Sequence, residues 1–258
     1  MAEGKKSFLL GSATLVVWGG VTSTQADEDA LNDWWTNEHL PERLSIPGFL
    51  RARRYACRDD STKSTEYMTF YEVSKLDVLT SEPYMEKLNN PTPGTKQHLP
   101  TLATMNRAAC QLVHSESRIH LNGCMSGLGA TVALLVLSLP AGLETVNIWQ
   151  GFIFDAFDKM QKSDKSIMSL HLVREDAAAT QPGSTSQSYI NSNLKSSEDR
   201  GIIRWVMLLE FSRRWDATHE GVRDVLKPVI DELSGASEAQ KDVTFDIHVY
   251  DLMCSVNS

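Results

Sequence analysis

Three observations on the 258-residue chain predict an α+β fold, two ferredoxin-like βαββαβ repeats forming a pseudo-dimeric α/β barrel. First, Ala13–Val17 (ATLVV) recurs as Ala130–Val136 (ATVALLV). From Ala13 to the Arg58-Asp59-Asp60 triplet is 45 residues, and from Ala130 to Arg174-Glu175-Asp176 is 44. Second, Glu72–Asp77 (EVSKLD) is echoed by Glu210–Asp216 (EFSRRWD), with a final strand about 30 residues beyond each. Third, short apolar segments rich in Val, Leu, Tyr and Thr alternate with segments that carry apolar residues at three- and four-residue spacing. Several similarities in one order point to a duplication. A strand-helix-strand-strand-helix-strand unit covers one sheet face with its helices and leaves the other bare. A second copy supplies the missing partner by closing a barrel, which also removes exposed strand edges.

The first repeat is read as 1–115, with strands at 8–18, 49–58, 65–74 and 103–115 and helices at 26–45 and 76–89. Residues 116–129 form a linker. The second repeat is read as 130–258, with strands at 130–139, 166–174, 202–212 and 243–254 and helices at 142–162 and 215–234; it is expected to be degenerate and structural. Helix one begins where Asp27, Glu28 and Asp29 favour a helix N-terminus, carries Leu31, Trp34, Trp35 and Leu40 at helical spacing, and stops at Pro47-Gly48. Pro41 predicts a helix that frays or bends just after His39. Ala177–Gly201 (AAATQPGSTSQSYINSNLKSSEDRG) has no counterpart in the first repeat; its polar composition predicts a loose loop, with a lid as the alternative.

The composition excludes several classes. Hydrophobic residues make up 41% and charged residues 22%, ordinary for a chain that buries its own core. A net charge of −8 argues against a nucleic-acid partner, since phosphate contacts need clustered Lys and Arg. Cys57, Cys110, Cys124 and Cys254 show neither CxxC pairs nor His/Cys metal spacing, so reduced thiols and no metal are expected. Lys5-Lys6 before FLLGSATLVVW superficially resembles a leader, but the run leads straight into a Gly-Gly turn and is read as a strand. No run reaches the ~20 apolar residues of a membrane span. A cytoplasmic protein without a membrane partner, monomeric as a pseudo-dimer or else homodimeric, is the expectation.

Within helix one, His39 lies one turn after Trp35 on the same face, so an imidazole stands beside a large apolar surface. The alternative is a partly buried histidine capping helix-end carbonyls.

The segment Trp34–Tyr55 (WWTNEHLPERLSIPGFLRARRY), after a first strand and a Gly turn, resembles the EthD-like branch of the dimeric α/β-barrel superfamily. Its members often show a tryptophan and a histidine on helix one before a Pro-Gly turn. The resemblance is good over residues 13–58 and weaker to about 115. The second half, with Trp149 and Ile153, lacks the Trp-x-x-x-His pair. The resemblance implies a ligand cavity between helices and sheet, a small hydrophobic or aromatic substrate, and cofactor-free cyclisation, decarboxylation, dehydration, isomerisation or oxygenation, often of polyketide-type aromatics; some members bind haem.

On this footing His39 is the first candidate base, with Trp34 and Trp35 excluding water and stacking on a flat substrate. His98, in the loop NNPTPGTKQHLPTL, is the second candidate, because several cyclases of the superfamily carry a functional histidine in that neighbourhood. Tyr55 is a hydrogen-bond donor from strand two, and Arg53 a holder of carboxylate or phenolate. Tyr71 on strand three and Tyr84 on helix two complete the set. Strand alternation leaves open which faces of strands two and three line the cavity. His171 and the Asp246, His248, Tyr250 line of the last strand are read as a polar network rather than a relay. The expected function is cofactor-independent acid-base catalysis of lyase, cyclase or isomerase type in secondary metabolism. The alternatives are a cofactor-free or haem-dependent monooxygenase and a non-catalytic small-molecule-binding stress-response protein.

Overall fold

The computed structural model describes residues 9–21, 27–59, 64–102, 105–117, 128–140, 155–160, 162, 164–189, 202–215, 220–235 and 244–258. In the first half the elements are β1 (Ala13–Gly20), α1 (Glu28–Trp34), a π-helical turn (Trp35–His39), α2 (Leu40–Leu44), β2 (Phe49–Asp59), β3 (Ser64–Val73), α3 (Glu82–Asn89), α4 (Pro93–His98) and β4 (Asn106–Ser117). The second half holds β5 (Thr131–Pro140), α5 (155–160), β6 (Ile167–Glu175), α6 (Ala177–Ser184), β7 (Ile202–Phe211), α7 (Glu220–Gly235) and β8 (Thr244–Asn257). The strands hydrogen-bond in the order β1-β3-β2-β8-β5-β7-β6-β4 as a closed barrel, so the chain is α+β with an eight-stranded sheet. Trp149, Ile153, most of the linker and Cys124 lie outside the described residues.

Two compact units emerge. One takes described residues within Leu9–Leu112, Val173–Asp199 and Leu252–Ser258; the other takes those within Val113–Leu172 and Arg200–Asp251. In the first unit β1 pairs antiparallel with β3 (Ala13 opposite Val73) and with β4 (Ala13 opposite Gln111), and β2 pairs with β3. Alternation along the strands sends Leu15, Val17, Ala52, Tyr67 and Tyr71 into one core with Leu31, Trp34 and Trp35 of the helices. The turn expected at Pro47-Gly48 is present. Gly48 has φ 97°, and a Cβ there would meet Val78 Cγ2 at 2.5 Å, so only glycine fits.

In the second unit β5 pairs antiparallel with β7 and β8, and α7 buries Val222, Leu226 and Val229 at helical spacing. His171 is fully buried, its Nδ1 2.8 Å from Ser115 Oγ and its Nε2 3.0 Å from Glu210 Oε1, a satisfied polar cluster. His248 and Tyr250 stack at 6.0 Å on β8.

The segment from Asp176 departs from the loose loop expected there. α6 is capped by the Asp176 carboxylate, which accepts from Ala179 N at 2.8 Å, and the backbone N–H of Ser188 donates to Leu88 O at 2.9 Å. Local composition signalled a loop because the contacts that anchor the segment to Arg107, Ala109 and Leu88 are distant in sequence; residues 190–201 lie outside the described set. Among the described residues, Cys57, Cys110 and Cys254 are not joined to one another by a disulfide. Among the described residues no helix is long and apolar enough to cross a membrane, and no cluster of metal ligands occurs.

Candidate functional site

The site is organised by the helix that the sequence singled out. Asp27 caps α1 by accepting from Ala30 N at 3.0 Å. Pro41 then imposes its geometry: it has no N–H for the Asn37 carbonyl, and its ring crowds that oxygen. Instead of fraying after His39, the helix widens into the π turn Trp35–His39, closed by the N–H of Leu40 donating to Trp35 O, and resumes as α2 to Leu44. Such turns are rare and recur at functional sites, because they re-aim side chains without ending the helix.

Trp34, Trp35, His39 and Arg43 form one wall of a buried hollow in the first unit. Leu15 and Val17 of β1 and Thr69 and Tyr71 of β3 form its floor. Tyr84, Leu99, Leu102, Met105 and Tyr189 complete it. Its volume is about 20 Å³, room for roughly one or two water molecules. A second hollow of about 140 Å³, lined by Pro91, Thr95, Lys96, Pro100, Gln187 and Ser188, shares Leu99 with the first.

His39 is 5% exposed. Burial, followed by the nearby positive charges of Arg43 and Arg54, holds its imidazole well below the usual histidine range, so it is neutral at pH 7. Its Nδ1 makes no hydrogen bond, and the Glu42 carboxylate stands 4.0 Å away. A neutral imidazole in a buried, aromatic-walled hollow is a proton acceptor waiting for a donor. Trp34 Nε1, Trp35 Nε1, Arg43 Nη1 and Thr69 Oγ1 are likewise buried without a hydrogen-bond partner. Each such group costs about 1–3 kcal/mol, so their convergence with His39 on one hollow is the signature of a polar ligand slot.

The remaining candidates divide. Tyr71 lies in the floor, and burial raises its phenol, leaving it a proton donor across the physiological range. Tyr84 is also in the wall and accepts a hydrogen bond from Arg107 Nη2 at 3.1 Å. His98 is outside the lining: half-buried at the end of α4, it stacks on Trp34 with ring centroids 5.3 Å apart. Arg53 and Tyr55 point to the sheet face away from the helices. Arg53 Nη1 donates to Tyr55 Oη at 3.2 Å, and its Nη2 lies 3.1 Å from Glu72 Oε1. Glu72 also receives Arg51 at 2.8 and 2.9 Å. Arg54, of opposite parity, is the strand-two arginine beside the helices, its guanidinium 4.5 Å from the Trp35 ring and hydrogen-bonded to Thr36 Oγ1 at 3.1 Å.

Arg43 and Tyr189 also line the hollow with titratable side chains, and neither was a sequence candidate. Arg43 follows His39 by four residues, the same helical spacing that linked His39 to Trp35, and that signal was available. Tyr189 gave none. It reaches the hollow because α6 is clamped to β4: Arg107 Nη1 donates to Thr180 O at 2.5 Å, and Ala109 N donates to Thr180 Oγ1 at 2.9 Å. Gly183 lies against the Arg107 guanidinium, where a Cβ would sit 2.2 Å from Nη2. Burial, and then the Tyr84 phenol, raise the Tyr189 hydroxyl.

No family model matches the chain, and no curated protein matches it in sequence. Solved structures do match in shape. An anthrone oxidase-like protein superposes with a TM-score of 0.53 at 10% identity, covering 96% of this chain and 94% of its own. An inferred monooxygenase from Fusobacterium nucleatum subsp. nucleatum superposes with a TM-score of 0.50 at 9% identity, covering 96% of each chain. Identities this low speak for the fold alone: the chain shares the α+β barrel fold of these proteins over nearly its whole length.

Proposed function

We propose that this chain is an enzyme of the EthD-like branch that binds a small, flat, enolisable or phenolic aromatic in the first-unit hollow and removes a proton from it with His39. The observation that carries this reading is the neutral, buried His39 with Nδ1 unbonded, set in a wall of Trp34 and Trp35. The proton leaves a ligand O–H or activated C–H for the imidazole, and the electron pair stays on the ligand, delocalised into its ring and oxygen. Trp34 and Trp35 exclude water and present ring faces to a flat molecule. From the resulting anion, loss of a leaving group, ring closure or reprotonation elsewhere would constitute a lyase, cyclase or isomerase.

Capture of the same anion by dioxygen is the second reading, favoured by the fold likeness to an anthrone oxidase-like protein and an inferred monooxygenase. At about 20 Å³ the hollow is too small for an aromatic ring as well as for a haem macrocycle, so its size does not choose between them, and either reading requires the wall to open as the ligand enters.

The test is turnover of anthrone-type and polyketide-type aromatics under air and under argon, with wild type and His39→Gln. Proton-transfer chemistry predicts product in both atmospheres, oxygenation predicts product and oxygen uptake only in air, and both predict loss in the variant. Ligand binding without turnover, unchanged in His39→Gln, would establish a non-catalytic binding protein instead.

The tandem duplication belongs to the same proposal. It is supported by matching strand order in the two halves, β4-β1-β3-β2 and β8-β5-β7-β6. A matching detail adds to it: Glu72 Oε2 accepts the backbone N–H of Leu10 at 2.8 Å, and Glu210 Oε2 accepts that of Gly129 at 2.7 Å.

A further inference from the structure

The buried arginines of the first unit differ in how their charge is met. Arg107 donates from both terminal nitrogens, to Thr180 O and Tyr84 Oη, and Arg54 donates to Thr36 and Asn32, so in each only Nε lacks a hydrogen-bond partner. Arg43 is 2% exposed, yet Nη1 has no hydrogen-bond partner, and its nearest carboxylate, Glu42 Oε2, lies 3.8 Å from Nη2, beyond hydrogen-bond range. That oxygen is itself without a hydrogen bond. A guanidinium removed from water and left with one loose counter-ion is costly unless something else meets it. The vacant donor belongs to a residue in the wall of the hollow, one turn beyond His39. Of the other unpartnered groups there, Trp34 Nε1, Trp35 Nε1 and Thr69 Oγ1 can donate as well, and His39 Nδ1 is left as the acceptor of the proton. A wall this rich in donors and poor in acceptors selects a ligand that brings acceptors and negative charge.

We infer that the ligand of this hollow carries an anionic or anion-forming oxygen on its flat ring, a carboxylate, phenolate or enolate, and that Arg43 Nη1 receives it. The inference rests on the proposed function and deepens it by naming the substrate class. If the oxygen is ionised on arrival, Arg43 sets affinity and orientation. If it becomes charged as His39 takes the proton, Arg43 stabilises that charge where water is excluded, which is where a fixed donor has most effect.

The test compares 2-naphthoate with its neutral isostere 2-naphthamide by titration calorimetry on the full chain, wild type, Arg43→Gln and Arg43→Met. The expected result is wild-type preference for naphthoate by about tenfold or more, lost in both variants, with naphthamide affinity changed less than about threefold. The wild-type ratio decides the matter even if neither variant folds, and near-ultraviolet circular dichroism reports folding. Equal wild-type affinities, or equal losses for both ligands in the variants, overturn the anion inference and leave the ligand site standing. Absence of binding by either ring overturns both, because the hollow is then not a site for flat aromatics.

Discussion

His98 and Trp34 stack face to face, ring centroids 5.3 Å apart and planes at 22°, and the same indole lies 4.9 Å from His39. A residue outside the hollow therefore sets the position of one inside it. His98→Phe, which keeps a flat ring, is expected to retain ligand affinity, whereas His98→Ala frees the indole and weakens binding by about 0.5–1.5 kcal/mol, a few-fold to tenfold. Titration of the two variants decides it; a loss in His98→Phe equal to that in His98→Ala would give the imidazole a chemical role of its own.

Activity should depend on pH through His39. As a base it works only when neutral, and its folded-state pKa lies below 6.5, so rates stay level through neutrality and fall only as acid reaches the lowered value. Stability follows the same group. Between the folded-state value and 6.5 the unfolded chain binds the proton more readily, so stability declines as pH falls below about 6.5. Thermal denaturation from pH 7.5 to 4.5 should show a shallower acid decline in His39→Gln than in wild type.

Glu72 is fully buried between Arg51 and Arg53. Glu72→Gln removes the counter-charge from a buried pair and should cost about 3–5 kcal/mol in urea denaturation. Tyr55 sits in the same cluster, on the sheet face away from the hollow. Tyr55→Phe is therefore expected to lose only about 0.5–1.5 kcal/mol of stability and to leave turnover within roughly twofold of wild type. A larger fall in turnover at normal stability would return Tyr55 to the list of catalytic candidates.

Leu99 belongs to the walls of both hollows and is 4% exposed. Leu99→Ala should lower stability by about 2–5 kcal/mol while removing the side chain that lines both. Stopped-flow mixing with 2-naphthoate is expected to show faster association; an unchanged rate would mean that ligands enter elsewhere.

The alternation of strands and helices in the first half, the tryptophan-histidine helix and the Pro47-Gly48 stop were all legible in the sequence because they are local. Helical spacing joins Trp35, His39 and Arg43 whatever surrounds them, and Gly48 answers to its own backbone. Pro41 announced a disturbance at His39, but whether the helix would fray or widen depended on the packing of Leu40 and Leu44 into the core beyond it.

Tertiary structure alone chose between Arg53 and Arg54. Side chains alternate along β2, and both its faces are buried, so neither parity stood out. Tyr189 likewise became part of the hollow through Arg107, Leu88 and Gly183, contacts that span tens of residues and leave no local mark on a Ser- and Thr-rich segment. The chain thus specifies its elements by short-range periodicity, and the site's chemistry by which buried donors are left without partners once those elements close together.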